Sequence, residues 1–408
     1  MNMLKIAERR KVKKNRDICG HFLRKPSSGI FRGVPVQDWT RRALRGCRVW
    51  VLLKSKNEPN CEGTEVWLLV RGDNAFLLEN WSFRSVEEKN LFVDMDISRW
   101  SLQVFPEVFD SRVQVCTQFI TVLFLIDDML DRMEHAEVAA IPIPICQNYY
   151  WLLTFKMQAT KIIHTFQAQV RGEKDTTPAD REMSVVLQLL DEMESCDTEK
   201  AHDVKTELLR FWDAQVAPSR DEKPTIDAYL SYRDVDAGIK LVTIFFTTCV
   251  CRSVARWGLD IVIPPDEYPW LSEVEYNISR HVVIVNDLFS WNKEVLLSQK
   301  CQGKLGGDLV NAVAITMQLE QVDASAAQAR LAKMVQDLEE NHFALLASRD
   351  RGKMAMSSDV ERYIDFLEDM ASGNESWSRV TARYYVGDGK QKRPTEENIS
   401  FRSLELWK

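Results

Sequence analysis

Residues 282–294 read Val282-Val283-Ile284-Val285-Asn286-Asp287-Leu288-Phe289-Ser290-Trp291-Asn292-Lys293-Glu294, an apolar run that turns abruptly polar. A helix turns by about 100° per residue, so Asn286, Ser290 and Glu294, spaced four apart, share one face. A carboxamide, a hydroxyl and a carboxylate then aim oxygens in one direction from a segment whose start belongs in a core. A second stretch, Phe119-Ile120-Thr121-Val122-Leu123-Phe124-Leu125-Ile126-Asp127-Asp128-Met129-Leu130-Asp131, repeats the design, with Asp127 and Asp131 on a common face. Carboxylates arriving from a core are costly unless cations or hydrogen bonds compensate them. Hard oxygen donors of this kind suit Mg²⁺ or Mn²⁺, held by a few carboxylates together with water and substrate phosphate oxygens. The two clusters therefore read as halves of one divalent-metal site, and the implied substrate is a phosphate ester. Taken alone, Asp127 to Asp131 also fits a helix emerging into solvent.

Outward from these stretches the chain reads as helix after helix. Apolar residues recur at three- and four-residue steps over Phe109–Met133, Asn148–Val170, Ala179–Ser195, Glu199–Val216, Ile239–Arg256, Ser272–Leu297, Val310–Leu319, Ala324–Ala347 and Met356–Met370. Breaks fall at Ile141–Pro144, Glu173–Pro178, Pro218–Pro224, Pro264-Pro265 and Gly303–Gly307. Alternating patterns are scarce, and only Trp50–Leu53 and Val66–Val70 resemble short strands. The expected fold is all-α: a single helical bundle over residues 76–408 around a central cavity, preceded by a basic, poorly ordered extension over residues 1–75.

Charge supports that division. Residues 1–60 hold 16 Lys and Arg against 4 Asp and Glu, a net of +12, while the rest carries −19 of the chain's overall −7. The basic start lacks the continuous apolar stretch of a secretory signal, and a transit peptide or an arm for anionic surfaces remains open. With 408 residues, 45% of them hydrophobic, the chain can bury a large core. No apolar run approaches the ~20 residues that cross a bilayer. Nine cysteines lie scattered without a Cys-x-x-Cys pair, which suggests neither a disulfide framework nor a zinc site. A reducing, cytoplasmic setting is expected, with no nucleic-acid partner and either a monomer or a homodimer.

These residues resemble the class I terpene synthases, the fungal sesquiterpene cyclases in particular. Asp127-Asp128-x-x-Asp131 is similar to that family's aspartate-rich motif, and Asn286-Asp287-x-x-Ser290-x-x-x-Glu294 to its second metal motif. Arg383-Tyr384, preceded by Trp377, resembles the dyad that holds diphosphate. Arg233 is similar to the diphosphate sensor, with Lys240 as the alternative, and Asp236 and Ala237 stand where the linker and effector of that motif fall. Lys293 matches a diphosphate-contacting lysine of fungal members. The resemblance covers roughly residues 80–390. It implies Mg²⁺ as cofactor, three ions, with Mn²⁺ as an alternative, bound by Asp127, Asp128, Asp131, Asn286, Ser290 and Glu294. It also implies farnesyl diphosphate as the substrate.

Elementary chemistry agrees. Cations at Arg233, Lys293 and Arg383 would neutralise a diphosphate leaving group as its C–O bond breaks, with no protein nucleophile required. Arginine's planar fork suits phosphate oxygens, whereas lysine acts as a point charge. The organic cation left behind needs an apolar, aromatic wall, each ring contact contributing about 0.5–2 kcal/mol. Phe124 leads the candidates, three residues before Asp127 on the same face; Phe105, Phe245, Phe246, Phe289 and Trp377 are the others. Competing readings are a diterpene cyclase, a chain-elongating prenyltransferase, expected to carry aspartate-rich motifs on both helices, and a degenerate ligand-binding homologue.

Overall fold

The protein is described by a computed structural model over residues 63–139, 160–173, 181–216, 225–235, 245–300, 311–349 and 355–384. Thirteen helices are described: α1 (Gly63–Asn80), α2 (Val86–Met95), α3 (Ile97–Val104), α4 (Val113–Ala139), α5 (residues 160–170), α6 (Arg181–Cys196), α7 (Thr198–Val216), α8 (Ile226–Val235), α9 (Phe245–Leu259), α10 (Tyr268–Lys300), α11 (Ala312–Glu320), α12 (Ala324–Ser348) and α13 (Ser358–Ser378). Short 3₁₀ turns cover Pro265–Glu267 and Ala382–Tyr384. No strand occurs among the described residues, so the all-α expectation holds.

Local chemistry starts these helices where the sequence permits it. Ser85, Asn311, Asp323 and Ser357 each accept a backbone N–H from the first turn of α2, α11, α12 and α13 respectively, satisfying donors that the helix itself leaves orphaned. Pro265 opens the turn that leads into α10, where its missing N–H costs nothing.

The long helix α10 is central. It packs along α12 on one side and α13 on another, and α13 packs in turn along α3. Val282 joins a large apolar cluster built from α2 to α4, α6, α7, α9 and α13, while the neighbouring Val283 and Ile284 join a second cluster with Tyr229, Leu230, Val313 and Leu331. A helix buried on two sides has no solvent stripe there, which is why the run 282–285 is apolar throughout. The stretch of α4 from Cys116 to Ile126 is likewise buried at every position.

Some expectations need correction. Val66–Val70, read as a short strand, lies inside α1, because a five-residue apolar run carries no period that separates strand from buried helix. The helices α1, α2, α3 and α8 were not anticipated. The chain divides into the units Met1–Leu68 and Leu69–Lys408, and the site lies in the second. Trp50–Leu53, Ile141–Pro144, Pro218–Pro224 and Gly303–Gly307 lie outside the described residues.

Candidate active site

α4 carries Asp127 and Asp128 out of the core one residue after its last buried apolar position, Ile126. Their side chains are 16% and 13% exposed. Both are gripped by Arg383 on the C-terminal 3₁₀ turn. Its Nη1 donates to the two oxygens of Asp128 at 2.6 and 2.7 Å, and its Nη2 to Oδ2 of Asp127 at 3.1 Å. The Arg383 side chain is 2% exposed. Burial by itself would favour deprotonation, but Asp128 and then Asp127 outweigh it and hold the guanidinium above its ordinary value, firmly charged. Its plane also lies 5.5 Å from the centroid of the Phe124 ring, within cation–π range.

The next residue reaches the other metal motif. Tyr384 accepts a hydrogen bond from Nδ2 of Asn286 at 2.6 Å, and burial pushes its phenol well up, so it remains a neutral hydroxyl. Consecutive residues thus join Asp127 and Asp128 of α4 to Asn286 of α10. The amide bond to Tyr384 leaves Oδ1 of Asn286 without a hydrogen-bond partner among the described residues. Ser290 donates to Oε1 of Glu294 one turn further on. An amide oxygen, a hydroxyl and a carboxylate form a hard-oxygen set that fits Mg²⁺. No group of three or more His, Cys, Asp or Glu among the described residues is gathered to hold a metal.

Two neighbours have structural roles that the sequence reading did not assign. Asp287, 1% exposed, points away from the trio and accepts from the Tyr229 hydroxyl and from the Ala312 N–H at 2.8 Å. It ties α8 and the start of α11 to α10. Asn311, fully buried, caps α11 through Oδ1 and donates through Nδ2 to Oε2 of Glu294 at 3.2 Å. An Asn before Ala312-Val313-Ala314-Ile315 signals a cap in the sequence, but nothing in the string signals its reach to Glu294.

The remaining expected residues divide as follows. Lys293 is half-buried and, seven residues after Asn286, returns to nearly the same face of α10; it forms no ion pair among the described residues. Arg233 lies on α8, four residues after Tyr229, and Asp131 lies on α4, but their side chains are outside the described residues, as is that of Phe245 on α9. Asp236, Ala237, Lys240 and the first part of the stretch expected to form α9 are outside it altogether. Phe124, Trp377, Trp100 and Tyr384 form one edge-to-face cluster, with centroids 5.1–6.3 Å apart, directly beneath the Arg383 clamp. The Trp377 indole donates to the carbonyls of Met95 and Asp96, and Phe105 stacks on Phe366. Phe105, Phe124 and Trp377 are 2% exposed or less, so they serve here as packed core beneath the site.

Fold and site together define an all-α protein with a cation-flanked centre of hard oxygens, suited to divalent metal and an anionic substrate. A family model described as terpene synthase family 2, C-terminal metal binding, matches residues 118–341, a span that holds both metal motifs and Asn311 but ends before Arg383. Aristolochene synthase from Aspergillus terreus is 28% identical over 313 residues, covering 77% of this chain and 88% of that protein. Aristolochene synthase from Penicillium roqueforti is 27% identical over 311 residues, covering 76% and 82%. The crystal structure of aristolochene synthase from Penicillium roqueforti aligns with a TM-score of 0.61 at 23% identity, over 78% of this chain and 95% of that one. The chain belongs to terpene synthase family 2, and is a terpene cyclase, a lyase with a metal-binding domain.

Proposed function

We propose that the protein is a Mg²⁺-dependent class I sesquiterpene cyclase that ionises farnesyl diphosphate and closes the resulting carbocation into a ring. One observation carries the reading: Arg383 and Tyr384, adjacent in sequence, bind the aspartates of α4 and the Asn286 of α10. This linkage supports reading the two halves of the oxygen set as parts of one centre. Asp127, Asp128 and Asp131 on one side, and Asn286, Ser290 and Glu294 on the other, are assigned to the metal, with three ions expected. Bound there, Mg²⁺ supplies Lewis-acid neutralisation of the departing diphosphate.

The protein's own groups do the rest. Arg383 exchanges part of its carboxylate pairing for diphosphate oxygens, a geometry its planar fork matches. Lys293, without an acid partner among the described residues, adds a point charge on the α10 side, and Arg233 with Asp236 and Ala237 is assigned to sensing the diphosphate from the α8 end. Tyr384 donates its hydroxyl hydrogen toward the same anion while holding Asn286. The prenyl chain leaves this polar end along an apolar wall whose shape Phe124, Phe105 and Trp377 set through packing from beneath, with Phe245 also assigned to it. Excluding water there protects the cation from capture. A reducing, cytoplasmic setting is assigned, in keeping with the free thiols of Cys116 and Cys196.

The mixed Asn/Ser/Glu motif favours cyclisation over chain elongation, for which a second aspartate-rich helix is expected. Purified protein given farnesyl diphosphate and Mg²⁺ should release a volatile hydrocarbon or alcohol detected by gas chromatography. Asp127→Ala and Asn286→Ala should abolish it. Silence of the wild type with C10, C15 and C20 diphosphates, or product that appears only when isopentenyl diphosphate is added, would overturn the proposal.

A further inference from the structure

Behind the Asn286/Ser290/Glu294 trio sits a side chain that the two metal motifs do not include. Asn311 is completely buried, and all of its polar atoms are engaged. Its Oδ1 accepts the Val313 N–H at 2.9 Å, capping α11. Its Nδ2 has three acceptors within reach: the Asp287 carbonyl at 3.1 Å, Oε2 of Glu294 at 3.2 Å and Oγ of Ser290 at 3.5 Å. An amide NH₂ has two hydrogens, so the two shorter bonds take them and Ser290 is held at the edge of contact. Both Glu294 oxygens are thereby fixed, Oε2 by Asn311 and Oε1 by Ser290. The cap and the tether use opposite ends of one rigid amide, so the start of α11 sets the rotamer of a carboxylate on α10.

A glutamate has three side-chain torsions, and on a helix surface it samples many rotamers. A carboxylate that must meet a cation in one geometry gains from being held beforehand, which is the role of hydrogen-bonding partners around metal ligands in general. We propose that Asn311 is a positioning residue for the second metal motif: through Nδ2 it holds Glu294, and through Glu294 the bonded Ser290, in the orientation that receives the divalent cation. This inference rests on the reading of the trio as metal ligands.

The cap and the tether can be separated. Serine and threonine cap helices about as well as asparagine but carry no amide donor. Asn311→Ser and Asn311→Thr should therefore melt within about 2 °C of the wild type. Calorimetric titration with Mg²⁺ and inorganic diphosphate should nevertheless show binding about 10-fold weaker or worse. In turnover, the Mg²⁺ concentration for half-maximal rate should rise by a similar factor, with kcat largely restored at saturating Mg²⁺. Wild-type affinity in both variants would reduce Asn311 to a helix cap and overturn the assignment. Failure of both to fold would overturn it too, by making the residue a requirement of the fold. Absence of Mg²⁺-dependent diphosphate binding in the wild type is a different result, because it removes the metal reading itself.

Discussion

Replacing Arg383 by alanine offers the sharpest test of the site, because the same two carboxylates face both a protein cation and the expected metal. In the structure Asp127 and Asp128 are 16% and 13% exposed and receive three charge-assisted bonds from Arg383. Arg383→Ala removes three charge-assisted bonds from adjacent, largely buried anions, which costs about 3–5 kcal/mol. For a bundle of this size, with an unfolding entropy of about 2 cal/mol/K per residue, that corresponds to a fall in Tm of roughly 4–7 °C. Divalent cations should return part of it, since they neutralise the same oxygens. Scanning calorimetry in EDTA and in millimolar Mg²⁺ should therefore give a variant that lies well below the wild type without metal and closer to it with metal. Arg383→Lys should fall between, keeping the charge but losing the fork. A variant that melts with the wild type in EDTA, or a deficit that Mg²⁺ leaves unchanged, would refute the idea that Arg383 and the metal share Asp127 and Asp128.

Other perturbations test neighbouring parts. Tyr384→Phe removes the acceptor of the Asn286 amide, leaving a buried N–H unmade at a cost of about 1–3 kcal/mol and lowering kcat/KM by about 10-fold or more; unchanged kinetics would show that the bond does not orient Asn286. Asp73 on α1 is fully buried, neither of its oxygens makes a well-formed hydrogen bond, and burial pushes its carboxyl up to about 8, an effect that the nearby Gln118 only partly offsets. The folded state thus holds this proton more tightly than the unfolded chain, so stability from this group is full below about pH 4 and is lost as pH rises toward 8. Asp73→Asn should accordingly change little near pH 4 and raise Tm progressively up to pH 8, and parallel Tm profiles would contradict this. At Gly258 on α9 a Cβ would lie 2.9 Å from Sγ of Cys116 and 2.9 Å from Cγ2 of Val108. Gly258→Ala should lose about 1–3 kcal/mol in denaturant unfolding despite the better helix propensity, and a gain would show that the site has slack.

The shared face of Asn286, Ser290 and Glu294 was legible because a helix with buried neighbours leaves few places for polar residues, and their four-residue step survives in the string. The same step explains why Asp287 is off that face: one residue turns about 100° on the helix. Other features left no such trace. α3 has apolar residues in helical step at Ile97, Trp100 and Val104, but eight residues are too few for the stripe to stand out, and Ser98, Ser101 and Gln103 are buried as well. α2 alternates charged and apolar residues too closely for a clean stripe. The partnership of Arg383 with Asp128 spans 255 positions, and the resemblance suggested only that Arg383 would meet diphosphate. Asn311 fell inside the expected helix Val310–Leu319, and its contact with Glu294 left no trace because it depends on how α11 docks on α10.

α2 ends at Asp96, whose φ of 54° breaks the rod before α3 begins; aspartate tolerates this left-handed conformation better than most residues. The break frees the Met95 and Asp96 carbonyls, which accept from Trp377 and Thr381, 281 to 286 positions later in the chain. Only when that late segment has docked does the adjoining turn carry Arg383 to α4. Pairing so distant in sequence is entropically slow to form. During synthesis, therefore, most of the helical scaffold can collapse while the centre is still incomplete, and competence for chemistry should be acquired as a final, separate event rather than gradually with compaction.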